Sequence, residues 1–406
     1  MPSMAQIPNR NIHKSSDIST KLVEALGDHV NALRSQNELS IVELEAKANA
    51  LINELACDQK DVYEVVESSL RLHRVLKAML DNANIFDGED SLKYAAAAIC
   101  ACARTVDGKD FTLQNLRNLA LTWLSHFLYL FKSTCSHLSQ KNVTPSPAAT
   151  PTLDYTQSIL AGEVHDGSRL GSLRQQILER DGHQCCVSSL KGEGHPLINT
   201  QDLGVSLQCA HIIRRAVGVI GAPDSQRFKA SSSQCFDILR NYCGLGNDIL
   251  EGVNNIIDYP MNGFMLWVVL HETFDKFMWT LIPVEGDNKY KVKDYRPTFS
   301  GLKFVSLASS VQIEDIVVEF KDHREELARL NGKPMPPAIP LPDPLFFKIH
   351  AAIAGILHMS GAGKFLDELF TKFDRDRDST SVLSFDEVVD EVVRRSEANQ
   401  FGEEFR

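Results

Sequence analysis

The chain has 406 residues, 43% of them hydrophobic, and a formal net charge of −11, which suits more than one globular domain and excludes wholesale disorder. The acidic surplus excludes a protein that coats nucleic acid by net charge, and nine cysteines without a Cys-x-x-Cys pair exclude a disulfide scaffold and a structural zinc knot. Residues 1–17 lack the apolar centre of a signal peptide, and the longest apolar run, 119–131, is broken by Thr122, Ser125 and His126, short of the ~18 residues a membrane span needs, so the expectation is an intracellular protein with no membrane association.

Residues 1–140 read as a helical domain. Ile18, Leu22, Leu26, Val30 and Leu33 recur at helical spacing, as do Ile41, Leu44, Ala48, Leu51 and Leu55. A third helix is expected over 62–80, an alanine-rich one over 94–103 and a strongly apolar one over 113–138. Such stripes bury against one another in a bundle; a protein partner docking on these N-terminal helices is the alternative, though the sustained heptads of a coiled-coil surface are not found.

Residues 141–165 form a linker, with Pro, Ser, Thr and Ala concentrated over 143–152, the compositional signature of a boundary. A central domain follows over 166–310, in which basic and acidic residues balance, so the acidic surplus belongs to the flanks. Its expected order is a helix over 171–180, a short strand over 185–187 and a strand over 205–213 that delivers His211. A long insert over 214–260 contains a helix over 235–242. Asn262-Gly263 then reads as a tight turn, followed by a helix from Trp267 that puts His271 and Asp275 one turn apart on one face. A return strand over 277–283 and a sheet-like stretch over 290–307 close the domain. Residues 311–344 read as a helix and a proline-rich connector, and 345–406 as a C-terminal helical segment. The fold class is α+β.

His211, Asn262, His271 and Asp275 carry the chemistry. Phosphodiester hydrolysis needs a base for water and a cation for the departing oxygen. A histidine at a strand end suits the base, because its charge changes near neutral pH. A histidine and a carboxylate one helical turn apart can share a metal, and Asn262 can tie the loop that carries the base. Arg214-Arg215, just past His211, are candidate phosphate clamps.

Arg180-Asp181-Gly182 with Cys185, then Ala210-His211-Ile212, Asn262-Gly263, and His271 with Phe274-Asp275 follow one another in an order that resembles the fungal-type branch of HNH endonuclease domains, over 171–283. The whole layout is similar to HNH-domain proteins of mushroom-forming fungi. The resemblance implies a ββα-metal core acting on nucleic acid, DNA first, with His211 as general base, Asn262 as loop-fixing residue, His271 as metal ligand and Asp275 as second ligand. The cofactor it implies is a divalent metal, Mg²⁺ ahead of Mn²⁺ or Zn²⁺, and His211 and His271 should face one cleft. One position departs from the pattern: many such domains carry a further ligand just before the base, and here that residue is Ala210.

Two other segments imitate known loops. Residues 376–387 offer oxygens from Asp376, Asp378, Thr380 and Glu387 in the spacing of a calcium loop, but Ser381 stands where glycine is needed and no second loop pairs with it, so calcium is not expected there. Ser360-Gly361-Ala362-Gly363-Lys364 lacks the first glycine and the preceding strand of a phosphate loop. It is expected to be a helix break.

Overall fold

The structure is a computed structural model that describes residues 26–35, 40–65, 68–103, 108–132, 169–196, 198, 204–214, 217, 229–251, 257–296, 302–303, 305, 312–330, 332, 334 and 337–376. Arg215, the linker over 141–165 and the calcium-like loop beyond Asp376 lie outside them. Helix and sheet are mixed, as an α+β chain requires.

Helix α1 covers 26–35, and α2 (Ile41–Ala56) buries Leu44, Ala48 and Leu55 of the stripe its spacing predicts together with Ile52, while Ile41 and Leu51 are half-buried. A reciprocal cap starts α2: the Ser40 hydroxyl accepts from Glu43 N, and the Glu43 carboxylate accepts from Ser40 N at 2.9 Å. The helix expected over 62–80 is wrong in its first half. There β1 (Val62–Val65) and β2 (Ser68–Arg71) form an antiparallel hairpin, and α3 begins only at Leu72 and ends at Asn82. Two causes favour this: β-branched Val62 and Val65 suit a pleat, and buried Asp61 caps α3 from across the hairpin, accepting from His73 N at 2.7 Å and pairing with the His73 ring. Helix α4 (Asp90–Ala101) packs its alanines on α2, and α5 (Lys109–Trp123) continues through one π turn, Leu124–Leu128, to Lys132.

In the central region come α6 (Arg169–Arg180), β3 (Leu207–His211), α7 (Lys229–Asn241), α8 (Asn247–Glu251), β4 (Gly263–Trp267) and α9 (Val268–Asp275). Strands β3 and β4 pair antiparallel, from Leu207 opposite Trp267 to His211 opposite Gly263, and α9 packs on them. No strand forms over 185–187; those residues turn, with Cys186 N donating to Met265 O at 3.0 Å. A second sheet has the order β5 (Trp279–Pro283), β6 (Lys289–Asp294), β7 (Val317–Glu319). In the stretch expected to be sheet-like over 290–307, β6 runs to Asp294 and the described residues 302, 303 and 305 are helical; β7, in the region read as helix and connector, was not expected.

Helix α10 (Arg324–Leu330) precedes α11 (Pro344–Ser360), which starts on Asp343, whose carboxylate accepts from Leu345 N at 2.8 Å, and stops at Gly361 with φ 80°. Helix α12 (Ala362–Asp376) turns away at 84°. Thus the expected helix break is a single residue, Gly361. Helix α11 lies between α3 and β5, and the buried apolar residues form one continuous cluster from Leu26 to Phe370. No single helix among the described residues is long and apolar enough to cross a membrane, and every described cysteine is a free thiol.

Candidate active site

The strand paired with the one that carries the candidate base is held by a buried ion pair at the end of α6. Arg180 is fully buried, and its guanidinium bonds Asp181 Oδ1 at 2.7 Å, Gly263 O at 2.7 Å, and Pro260 O and Pro340 O at 2.8 Å each. Asp181 Oδ2 in turn accepts from Met265 N at 2.8 Å. A charge this deep is tolerated only because its donors are paired, and the pairing fixes where β4 begins. The Arg-Asp-Gly motif, part of the sequence resemblance, is therefore a structural brace.

Asn262 and Gly263 do not make the tight hairpin turn expected of them. Asn262 ends a 3₁₀ turn, Pro260–Asn262, and Gly263 is extended at φ −145°, ψ 158°. Glycine serves close approach there: a Cβ would stand 2.5 Å from Ile177 Cδ1 on α6, so any side chain would make Ile177 shift. Asn262 is fully buried. Its Oδ1 accepts from Ile213 N at 2.7 Å, and its Nδ2 donates to Ile213 O at 2.9 Å and Ile257 O at 3.0 Å. One side chain thus holds the backbone leaving His211 and the end of the insert.

His211 is the last residue of β3, opposite Gly263, and only 2% exposed. Its Nε2 is 3.8 Å from Asp258 Oδ1, too long for a hydrogen bond but close enough for a favourable field on a developing imidazolium. Sequence reasoning passed over Asp258 because it sits in the insert; the signal available was its place four residues before Asn262.

Strand alternation puts Gln208 and Ala210 on the face turned to α9 and His211 on the other, so the two imidazoles lie on opposite faces of β3 and do not share the one cleft expected of them. Gln208 Oε1 meets His271 Nδ1 at 2.5 Å. That leaves His271 Nε2, buried and without a hydrogen bond, 3.5 Å from Asp275 Oδ2. The helix thus brings His271 and Asp275 together, as their spacing predicts. Behind them, His350 on α11 stacks on Phe274 at 3.9 Å and on Phe277 at 4.6 Å, with Nδ1 2.9 Å from Thr280 Oγ1. Burial pushes its pKa down to about 3, so the ring packs neutral. Nothing in its sequence spacing pointed to it.

Arg214 is directed elsewhere. Its Nη1 donates to Phe131 O at 3.0 Å and Lys132 O at 3.1 Å, and its guanidinium lies 5.8 Å from the centre of the Phe277 ring. It caps the end of the long helix that starts as α5, so the residue after the base loop ties that loop to the helical region.

The donors fit a divalent ion held by two protein ligands. The orphaned, buried Nε2 of His271 beside a carboxylate suits a cation, with water and phosphate oxygens at the remaining positions. They do not form a three-ligand site: among the described residues no group of three His, Cys, Asp or Glu side chains could hold a metal, and the strand position facing α9 beside Gln208 is Ala210. Both imidazoles are 2% exposed, so solvent reaches the site at the carboxylates, Asp258 at 23% and Asp275 at 19%.

Comparison with known families gives one finding. The family model described as HNH endonuclease matches residues 185–282, the segment from Cys185 through β3, the insert, β4 and α9 to β5. This supports an HNH endonuclease domain there, a nuclease-type domain of a kind that generally uses a divalent metal and that suggests nucleic-acid binding. No curated protein and no solved structure matches the chain.

Proposed function

We propose that the chain is a divalent-metal-dependent endonuclease that hydrolyses DNA phosphodiester bonds. His211 takes a proton from the attacking water. Asp258, 3.8 Å from Nε2, stabilises the charged form of the imidazole as the proton arrives. Asn262 keeps the loop behind His211 from shifting, through its bonds to Ile213. His271 and Asp275 are the residues that would hold the cation; when bound, it supplies Lewis-acid stabilisation of charge on the departing oxygen. Mg²⁺ is the first choice, since it keeps several waters and needs few protein ligands, with Mn²⁺ and Zn²⁺ as alternatives that accept imidazole.

The observation that supports this reading best is His271 Nε2: buried, without a hydrogen bond, 3.5 Å from Asp275 and oriented from its other nitrogen by Gln208. The test is nicking of supercoiled plasmid by purified protein with Mg²⁺ or Mn²⁺. The expected result is loss of cleavage in EDTA and a fall of about 10²-fold or more in His211→Ala. Undiminished cleavage by that variant would overturn the assignment of the base.

A second reading is a nuclease fold kept as a non-catalytic nucleic-acid-binding or interaction module. Two observations favour it: Ala210 at the third ligand position, and imidazoles almost closed off from solvent. Titration of well-folded protein with Mn²⁺ separates the two readings: no binding heat dependent on His271 selects the module.

A further inference from the structure

Strand β6 reads Lys289-Tyr290-Lys291-Val292-Lys293-Asp294, and its side chains alternate between exposed and buried. Tyr290 and Val292 enter the core, where Tyr290 packs 4.6 Å from the Phe347 ring. Lys289, Lys291 and Lys293 stand on the other face, all exposed. Neighbours in such a row are about 7 Å apart, so the three span about 14 Å. Over that length one strand of a DNA duplex carries about four phosphates.

The row begins on the strand paired with β5, which follows α9 in the chain. Lys293 is opposite Thr280 in the register of β5 and β6, and Thr280 lies five residues after Asp275. From there it runs outward to Lys289, next to the acidic hairpin tip of Glu285 and Asp287, which ends it. Two carboxylates partly offset it: Asp315, 3.9 Å from Lys291, and Glu319, opposite Lys289 and 3.3 Å from Lys321. With Lys321 counted, four ammonium groups face two carboxylates, in a chain whose net charge is −11. A repulsive chain needs such a local cationic strip if it is to hold a polyanion at one place.

We propose that the exposed face of β6 and β7 is a track for the phosphate backbone of nucleic acid, with Lys289, Lys291 and Lys293 as its contacts. This rests on the nuclease reading for its choice of occupant. The track positions the strand by charge and carries no base readout.

The experiment is fluorescence anisotropy of a labelled oligonucleotide, duplex and single-stranded, in EDTA between 50 and 200 mM KCl, for the wild type and K289Q/K291Q/K293Q. Neutralising three contacts should reduce the slope of log K against log salt by about 2.7 for duplex or about 2.1 for single strands. Over that fourfold salt range the wild type should therefore lose roughly 20- to 40-fold more affinity than the variant. K289R/K291R/K293R, with unaltered circular dichroism, should keep the wild-type slope and so separate charge from folding. An unchanged slope in the Gln variant, with plasmid cleavage by the wild type intact, overturns the track and leaves the nuclease reading standing. Absence of both binding and cleavage in the wild type overturns both. Loss of polyglutamate binding with duplex binding untouched would assign the row to an acidic protein and overturn the proposal.

Discussion

His271 Nδ1 lies 2.5 Å from Gln208 Oε1, so the strand that ends in His211 also sets the orientation of the imidazole on α9. With Nδ1 donating to the amide oxygen, the lone pair of Nε2 is presented toward Asp275. Outer partners of this kind, when removed, weaken metal binding by about 10- to 100-fold. Gln208→Leu should show that loss for Mn²⁺ in a calorimetric titration, with the unfolding midpoint in metal-free buffer little altered. Equal affinity in the two proteins would mean the bond does not orient the ligand.

Asn262 should behave differently, because its partners are backbone groups. Asn262→Ala leaves Ile213 N, Ile213 O and Ile257 O without their side-chain partner in a buried setting. Each unsatisfied group costs about 1–3 kcal/mol, so a loss of about 3 kcal/mol or more is expected in urea unfolding. Cleavage should fall as well, through the loop behind His211.

What could be read from the chain follows the range of the forces involved. The α2 stripe, the β3 strand and the His271/Asp275 pair are local periodicities, and they appear where spacing puts them. The hairpin over 62–71 was hidden because its decisive contact, Asp61 with His73, crosses it and gives no local pattern. Asp258 beside His211 and Arg214 on the end of the long helix are likewise contacts made only by the fold. The Asn-Gly pair misled for another reason: the glycine signal was real but steric, set by Ile177 on α6.

That steric origin can be tested. Gly263→Ala places a methyl 2.5 Å from Ile177 Cδ1, and overpacking of this kind costs about 1–3 kcal/mol. Ile177→Val removes the offending carbon. Although it costs about 0.5–1.5 kcal/mol alone, the double variant should be more stable than Gly263→Ala by itself. A simple sum of the two single losses would show that the clash is relieved elsewhere.

Acid should loosen the packing behind α9. His350 has its folded pKa lowered to about 3 by burial, below the unfolded value of about 6.5. The unfolded chain therefore binds the extra proton between those values. The stability contributed by the neutral ring is complete above about pH 6.5 and is lost as pH falls toward 3, by about 1.4 kcal/mol per unit for this one group. Stability measured from pH 7 to 5 should fall less steeply in His350→Phe, which retains the stack on Phe274. An equal slope in the two proteins would place the acid sensitivity in other groups.

Ala210 offers the sharpest test of the metal site, because it predicts a gain. It is fully buried on the β3 face that carries Gln208, opposite the helix bearing His271 and Asp275. Ala210→Asp would bring a carboxylate as a third donor to the two proposed ligands, His271 and Asp275. Without metal the new carboxylate is buried beside another, and the variant should unfold at lower urea than the wild type. With Mn²⁺ the order should reverse, since an ion bound only by the folded state stabilises it in proportion to the logarithm of its concentration over Kd. A tenfold tighter Kd corresponds to about 1.4 kcal/mol, and at least that much is expected from a carboxylate completing the set. Destabilisation that Mn²⁺ does not relieve would mean that position 210 does not face the ion, and that His271 and Asp275 are not its ligands.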